Sequence, residues 1–316
     1  MRSLAGCILA AALVLAGPDG GHAAAPVEID AKPLDVAAIA GPRRRIGELD
    51  LLAGFHLTSR DERFGGLSGL LGDGDRLMAV SDRGTFWSAR LDRADDGTLL
   101  GLRDWTVENV GVAYDDWPPD LEAVARLADG TIVASAETPS RGLTLFGTPP
   151  AWLPGMRDEL AEQPPNEGVE AMTTLADGTL MTFGEAEVEG GLHEVVLFGA
   201  DGVRHLRYAT ESGFAPTDAD RVGSNLLVLE RRLSLLGGFE ARIVLVDLAA
   251  TPPEAGTTLR GRELARLGVG SISDNFEGLA AERARDGRLV IYVVSDDNFL
   301  PVQRTLLLQF RSDPLP

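Results

Sequence analysis

Cysteine occurs once in this 316-residue chain, at Cys7, and lysine once, at Lys32. Cys7 lies in a leader segment, so the mature chain carries no thiol. Disulfides, thiol catalysis and thiolate metal sites are excluded together. Schiff-base chemistry has no candidate beyond Lys32. The four histidines, His22, His56, His193 and His205, are scattered without metal-ligand spacing. No Gly-x-Ser-x-Gly elbow and no glycine-rich phosphate loop opening a helix occur. Positive charge is scarce: 29 Lys and Arg face 48 Asp and Glu, for a net charge of −19. Such a polyanion repels nucleic acid and anionic membranes, so neither is expected as a partner. Long apolar runs are missing too. The longest, residues 4–17, falls short of the ~20 residues a membrane helix needs.

What is present begins with a targeting segment. Arg2 supplies a positive start, residues 8–15 (ILAAALVL) an apolar core, and Gly21-His22-Ala23 a small-x-small cleavage site. Cleavage after Ala25 would set Pro26 beside the scissile bond, so cleavage near Ala23 is expected. Leu4-Ala5-Gly6-Cys7 has the composition of a lipid-attachment box but precedes the apolar core instead of closing it. The reading is a signal peptide over 1–23, an extension over 24–44 and one domain over 45–316, periplasmic or secreted and monomeric.

Two segments within that domain are near copies. Residues 122–137 read EAVARLADGTIVASAE and residues 170–185 read EAMTTLADGTLMTFGE. Each is an apolar run, the turn Asp-Gly-Thr and a second apolar run, the signature of a β-hairpin. A carboxylate stands at both ends of each hairpin, which antiparallel pairing makes neighbours at ~5–8 Å. Looser versions start at Ser68, Asp218 and Glu277. The five starts are 54, 48, 48 and 59 residues apart, gaps too short to hide another four-stranded unit. Two further strands follow each hairpin, for example residues 85–91 then 102–110, and 242–248 then 258–267. The last unit is one strand short after 304–311, and residues 45–57 can supply it. This predicts an all-β propeller of four-stranded blades, five favoured and six the alternative, its ring closed by an N-terminal strand joining the C-terminal blade. Helix is expected only over 156–163 and 280–285.

The second strand of every hairpin ends on an acid or reaches one: Asp82, Glu137, Glu185, Glu230 and Asp296. The first begins on one in four units: Glu122, Glu170, Asp218 and Glu277. In a propeller these strands line a central channel, so the acids would ring one mouth. Two like charges ~5 Å apart repel by about 3 kcal/mol at an effective dielectric of 20, so such a ring needs protons, arginines or cations. Oxygen-only donors suit a hard divalent cation, calcium best. The bland alternative is that strand-end acids accept backbone N–H groups and tie blades together. Trp117, beside two prolines, is a candidate substrate wall.

Four motifs in order carry a family resemblance: Ser81-Asp82-Arg83-Gly84, Asn166-Glu167-Gly168-Val169-Glu170-Ala171, Leu229-Glu230-Arg231-Arg232 and Asp274-Asn275-Phe276-Glu277-Gly278-Leu279. Together they resemble exported bacterial proteins described as the esterase-like activity of phytase family, or phytase-like domain. The resemblance implies a β-propeller and an ester-cleaving activity that depends on calcium. The acidic run and phosphate-binding lysines of true propeller phytases are missing here, which argues against phytate. The expectation is therefore a metal-dependent hydrolase of a small phosphoester or carboxylic ester. Glu170 and Glu277 would supply the carboxylate base, and Arg83 and Arg231 would orient an anionic substrate. Asp82, Glu122, Glu137, Glu185, Asp218, Glu230 and Asp296 would hold the metal. A non-catalytic propeller binding a cation, a small ligand or a protein, and a calcium-dependent sugar-lactone hydrolase, are the alternatives.

Overall fold

The repeated tetrapeptide Ala-Asp-Gly-Thr closes its hairpins by one mechanism. At Asp177 the carboxylate accepts the Thr179 N–H at 3.0 Å, while Gly178 takes a φ of +85° that a side chain would strain. Asp129 does the same for Thr131 at 2.9 Å. Asp96 and Asp286 repeat the device elsewhere, with Thr98 at 3.0 Å and Arg288 at 3.1 Å.

The computed structural model describes residues 24–109, 120–136, 168–234 and 237–314, with the backbone of 143–145 and 151–152. Its strands run in chain order β1 (Ala25–Pro26), β2 (Ile29–Pro33), β3 (Arg45–Ile46), β4 (Leu49–Ser59), β5 (Leu67–Asp73), β6 (Arg76–Ser81), β7 (Thr85–Arg93) and β8 (Leu99–Asn109). The middle strands are β9 (Leu121–Arg126), β10 (Ile132–Ala136), β11 (Leu143–Leu145), β12 (Ala151–Trp152), β13 (Val169–Thr174), β14 (Leu180–Glu189), β15 (Leu192–Gly199) and β16 (Gly202–Ala209). The last are β17 (Ala215–Val222), β18 (Asn225–Ser234), β19 (Gly238–Asp247), β20 (Thr258–Arg260), β21 (Arg262–Leu267), β22 (Asn275–Arg283), β23 (Leu289–Asp296) and β24 (Thr305–Ser312). A short helix, α1 (Val36–Ala40), is capped by Asp35.

Pairing joins these strands into sheets ordered β1-β8-β7-β6-β5, β12-β11-β10-β9, β13-β14-β15-β16-β20, β17-β18-β19-β21 and β2-β4-β24-β23-β22. Each chain-ordered hairpin supplies the first two strands of a sheet, the all-β arrangement of a β-propeller. Four of the sheets hold four strands of six residues or more; the β9–β12 sheet narrows to strands of three and two residues. Counted on full-length strands, the described residues contain four blades, fewer than the five or six that the spacing predicts.

Residues 24–44 do not stand apart from the domain, since β1 pairs with β8 and β2 with β4. Strand β4 in turn pairs antiparallel with β24, from Leu49 against Ser312 to Leu57 against Thr305. The single strand expected over 258–267 is divided. Its first part, β20, pairs parallel with β16, whereas β21 stays with β19. The helical turn expected over 280–285 is instead the end of β22, where Ala280 to Arg283 pair with Tyr292 to Leu289. Local helix propensity there yields to a register that covers both faces of the strand.

The core lies between sheets. One cluster joins Leu229 and Ile243 to Phe276, Ile291 and Phe310; another joins Trp87 and Val107 to Phe55, Tyr292 and Leu307. Because a neighbour covers each face, β23 is buried along its whole length and reads LVIYVV without alternation. Among the described residues no helix is long and apolar enough to cross a membrane.

Candidate functional site

An irregularity at the start of every hairpin decides where the acids go. Pairing slips by one residue between Leu67 and Gly69, between Val169 and Ala171, between Pro216 and Asp218, and between Phe276 and Gly278. The β9–β10 hairpin slips over Leu121 to Val124. Such a bulge leaves one extra residue unpaired and re-aims its side chain. The bulged positions are Ser68, Glu122, Glu170, Thr217 and Glu277. On the second strand, the residues two beyond the matching partner are Asp82, Glu185, Arg231 and Asp296 among the described residues.

The fourth hairpin therefore contributes a threonine and an arginine, where the third and fifth bring two acids each and the first a serine and an acid. Asp218 and Glu230 each lie one residue out of step, and a one-residue step turns a strand side chain to the other face. Asp218 is fully buried and spends its carboxylate on main-chain donors: Leu70 N–H at 3.0 Å, Leu279 N–H at 2.6 Å and Ala219 N–H at 2.8 Å. Glu230, also fully buried, accepts the Tyr208 hydroxyl at 2.6 Å and Nε of Arg242 at 2.9 Å. Neither joins the other acids, and burial raises the pKa of both.

Four of the remaining acids, Glu277, Glu185, Glu170 and Glu122, act on Arg231. Its Nη1 lies 2.9 Å from Glu277 and donates to Asn275 Oδ1 at 2.7 Å, and its Nη2 lies 3.5 Å from Glu185. Burial works against the arginine's charge, but Glu277, Glu185, Glu170 and Glu122 outweigh it and raise its pKa. Glu122 is itself raised well above the carboxylate range, by burial first and then by Glu170, Asp120, Glu277 and Asp82. Burial likewise raises Glu277, against the pull of Arg231 and of Asn275, whose amide donates to it at 2.8 Å.

Asp82 and Asp296 form the far side of the cluster. Burial, with help from Glu277 and Asp297, pushes Asp82 up to about 7. Asp296 is pushed up to about 8 by burial, Glu277 and Asp82, although it accepts the Asn298 N–H at 2.7 Å. Among the described residues Oδ1 of Asp82 is buried without a hydrogen-bond partner. Arg83 leans outward, its guanidinium 3.3 Å from the ring centre of Phe299 and donating to Glu62 O at 2.9 Å. Two more acids serve the frame. Asp297 accepts from Gly66 N–H and the Thr305 hydroxyl, each at 3.1 Å, and Asp274 accepts Nε of Arg304 at 3.0 Å.

Asn275, within the fourth family motif, is brought onto Arg231 and Glu277, a contact that sequence spacing alone does not show. The expected residues Glu137, Glu167 and Trp117 and the helix over 156–163 lie outside the described residues. His193 is buried against Glu185 O at 2.8 Å, and burial lowers its pKa. Among the described residues no three carboxylates or imidazoles converge as a metal cage. What fits a hard cation is the all-oxygen donor set and the partnerless oxygen of Asp82.

No curated protein matches the sequence. Among solved structures the chain is similar to virginiamycin B lyase from Staphylococcus aureus, at 8% identity and a TM-score of 0.40, over 89% of this chain and 99% of that one. A protein of unknown function from Dyadobacter fermentans gives 11% identity and a TM-score of 0.42, over 92% and 99%. A bifunctional GH43-CE protein from Bacteroides eggerthii gives 13% and 0.41, over 78% of this chain and 33% of that one. The family model described as phytase-like, esterase-like activity of phytase, matches residues 62–299, and the chain belongs to that family.

Proposed function

We propose that this protein is an exported, monomeric hydrolase of a small anionic phosphoester or carboxylic ester, acting where the bulged acids gather. In this reading the β4–β24 pairing closes the sheets into a ring. The reading rests above all on Arg231, one guanidinium flanked by Glu277 and Glu185, with Glu170 and Glu122 close enough to raise its pKa. It is the cation best placed to hold an ester's anionic oxygen, since a guanidinium presents five donors in a plane.

Acid–base work needs a carboxyl that changes protonation near neutral pH. Asp82 at about 7 and Asp296 at about 8 meet that condition. Glu277, held by Arg231 and Asn275, is the carboxylate best oriented to take a proton from an attacking water. Glu170, also on a bulge, stands as its partner base. Arg83, on the outer edge, would meet the substrate only by leaving Phe299.

Calcium belongs to the same reading. Asp82 and Asp296 are the residues that would hold it, and when bound it would polarise the ester oxygen.

The test is a panel of phosphate and carboxylate esters assayed with calcium and with chelator, on wild type and Glu277→Gln. Turnover that falls at least ~100-fold in the variant supports the reading. No turnover on any ester class, with calcium still raising the melting temperature, would identify a binding propeller instead.

A further inference from the structure

Asp218 divides the space between the first strands. Its Oδ2 receives N–H groups from β5 and from β22, so it lies between strands of different sheets. The acids occupy the early positions of those strands. Past the plug, at the later positions, a cavity of about 300 Å³ opens between β5, β9, β13 and β17. Leu70, Val124 and Met172 give it apolar walls, and Thr174, Arg126 and Arg221 give it polar ones.

Hydrogen-bond donors are in surplus there. A guanidinium has five N–H donors. Arg221 uses Nε on Thr174 O and Nη1 on Gly223 O, both at 2.8 Å, and makes no ion pair among the described residues. Its neighbour Asp220, which also lines the cavity, accepts the Ala281 N–H at 2.8 Å and the Arg221 N–H at 2.7 Å and makes no ion pair with the guanidinium among the described residues. Among the described residues Oγ1 of Thr174 is buried and has no hydrogen-bond partner. A buried hydroxyl left without a partner in a native fold calls for a water, an ion or a ligand. Among the described residues Arg126 is occupied only by Asp73 at 3.0 Å, an exposed pair that solvent weakens, and by Gly130 O at 3.3 Å.

We propose that this cavity is a second binding site, for a small organic monocarboxylate. The ligand's apolar body rests on Leu70, Val124 and Met172, and its carboxylate takes the unused N–H groups of Arg221 and the Thr174 hydroxyl. A guanidinium facing a carboxylate makes two parallel charge-assisted bonds, and apolar walls with a few convergent polar groups are the usual form of a small-molecule site. At roughly 30 Å³ per water-sized unit the space admits a ligand of about ten non-hydrogen atoms. The proposal does not depend on ester hydrolysis at the acid cluster.

Benzoate, titrated into the whole protein by calorimetry, is the test. Saturable binding that weakens about tenfold in Thr174→Val, and is unchanged in Glu277→Gln, is the expected result. Arg221→Gln is expected to abolish it. Since that change also frees two main-chain carbonyls, Thr174→Val, which keeps the side-chain shape, decides the matter if the arginine variant unfolds. No saturable binding up to ~10 mM, or binding that Thr174→Val leaves intact, overturns the proposal.

Discussion

Asp218, fully buried, and Arg231, half-buried, are held in opposite ways, one by neutral amides and one by charges. Three N–H donors satisfy Asp218, so truncating it strands groups on β5 and β22 that cannot reach water. Asp218→Ala is expected to cost about 3 kcal/mol and Asp218→Asn about 1–2 kcal/mol, read from urea midpoints. Ester turnover per folded molecule is expected to be unchanged. Arg231 is a different case, because its loss leaves Glu277 and Glu185 without their cation. Arg231→Met is expected to destabilise by about 2–4 kcal/mol, and adding Glu277→Gln to recover part of it. Losses that simply add in the double variant would show that the two side chains are not coupled. Both residues were visible in the sequence as strand-end charges. Which one faced the other acids was not, because a single unpaired residue at Thr217 inverts the answer.

Bulges and turns are the elements that give the repeat its form. The Asp-Gly-Thr turns were legible because the aspartate and the glycine act within three residues of each other. Bulges were not, since they need a partner strand to slip against. The residue after each bulge is where inner strands come closest. A Cβ on Gly69 would stand 2.9 Å from Glu122 O and 3.1 Å from the Ala123 Cα, both backbone. Backbone cannot step aside as a side chain can, so Gly69→Ala is expected to cost about 1–3 kcal/mol by parting β5 from β9. A melting temperature within a degree of wild type would mean that these strands have room to spare. In the fourth hairpin the corresponding residue is Asp218, which fills the space a glycine or alanine leaves elsewhere.

Charge is the property that belongs to the molecule as a whole. At −19 the chain repels itself, and the acids gathered between sheets add to that. Asp220, Asp82 and Asp296 are raised from 3.8 to about 6, 7 and 8, chiefly by burial. A carboxyl with a raised folded value stabilises the fold fully below its unfolded value, and that contribution is lost as pH climbs through the folded one. The melting temperature is therefore expected to be highest near pH 4–5 and to fall by several degrees towards pH 8. Asp220→Asn should flatten the first part of the fall, between about pH 4 and pH 6. Calcium at pH 8 should restore part of the loss if a cation binds Asp82 and Asp296. A melting temperature that rises steadily from pH 5 to 8 would mean these groups are ionised in the fold at no cost.

Short-range chemistry settled the strands, the turns, the all-β class and the acidic character, because each depends on neighbours a few residues away. The pairing of residues 45–57 with the last strand was also readable, from the count of strands and the one left over. Tertiary structure alone decided three things: the bulged register that selects which acids meet, the Asp218 plug, and the handover of β20 to a neighbouring sheet. The plug and the handover depend on contacts between segments 50 or more residues apart, Leu70 with Asp218 and Arg207 with Thr258, while the bulges depend on how far a hairpin's two strands slide along each other, which no local pattern encodes.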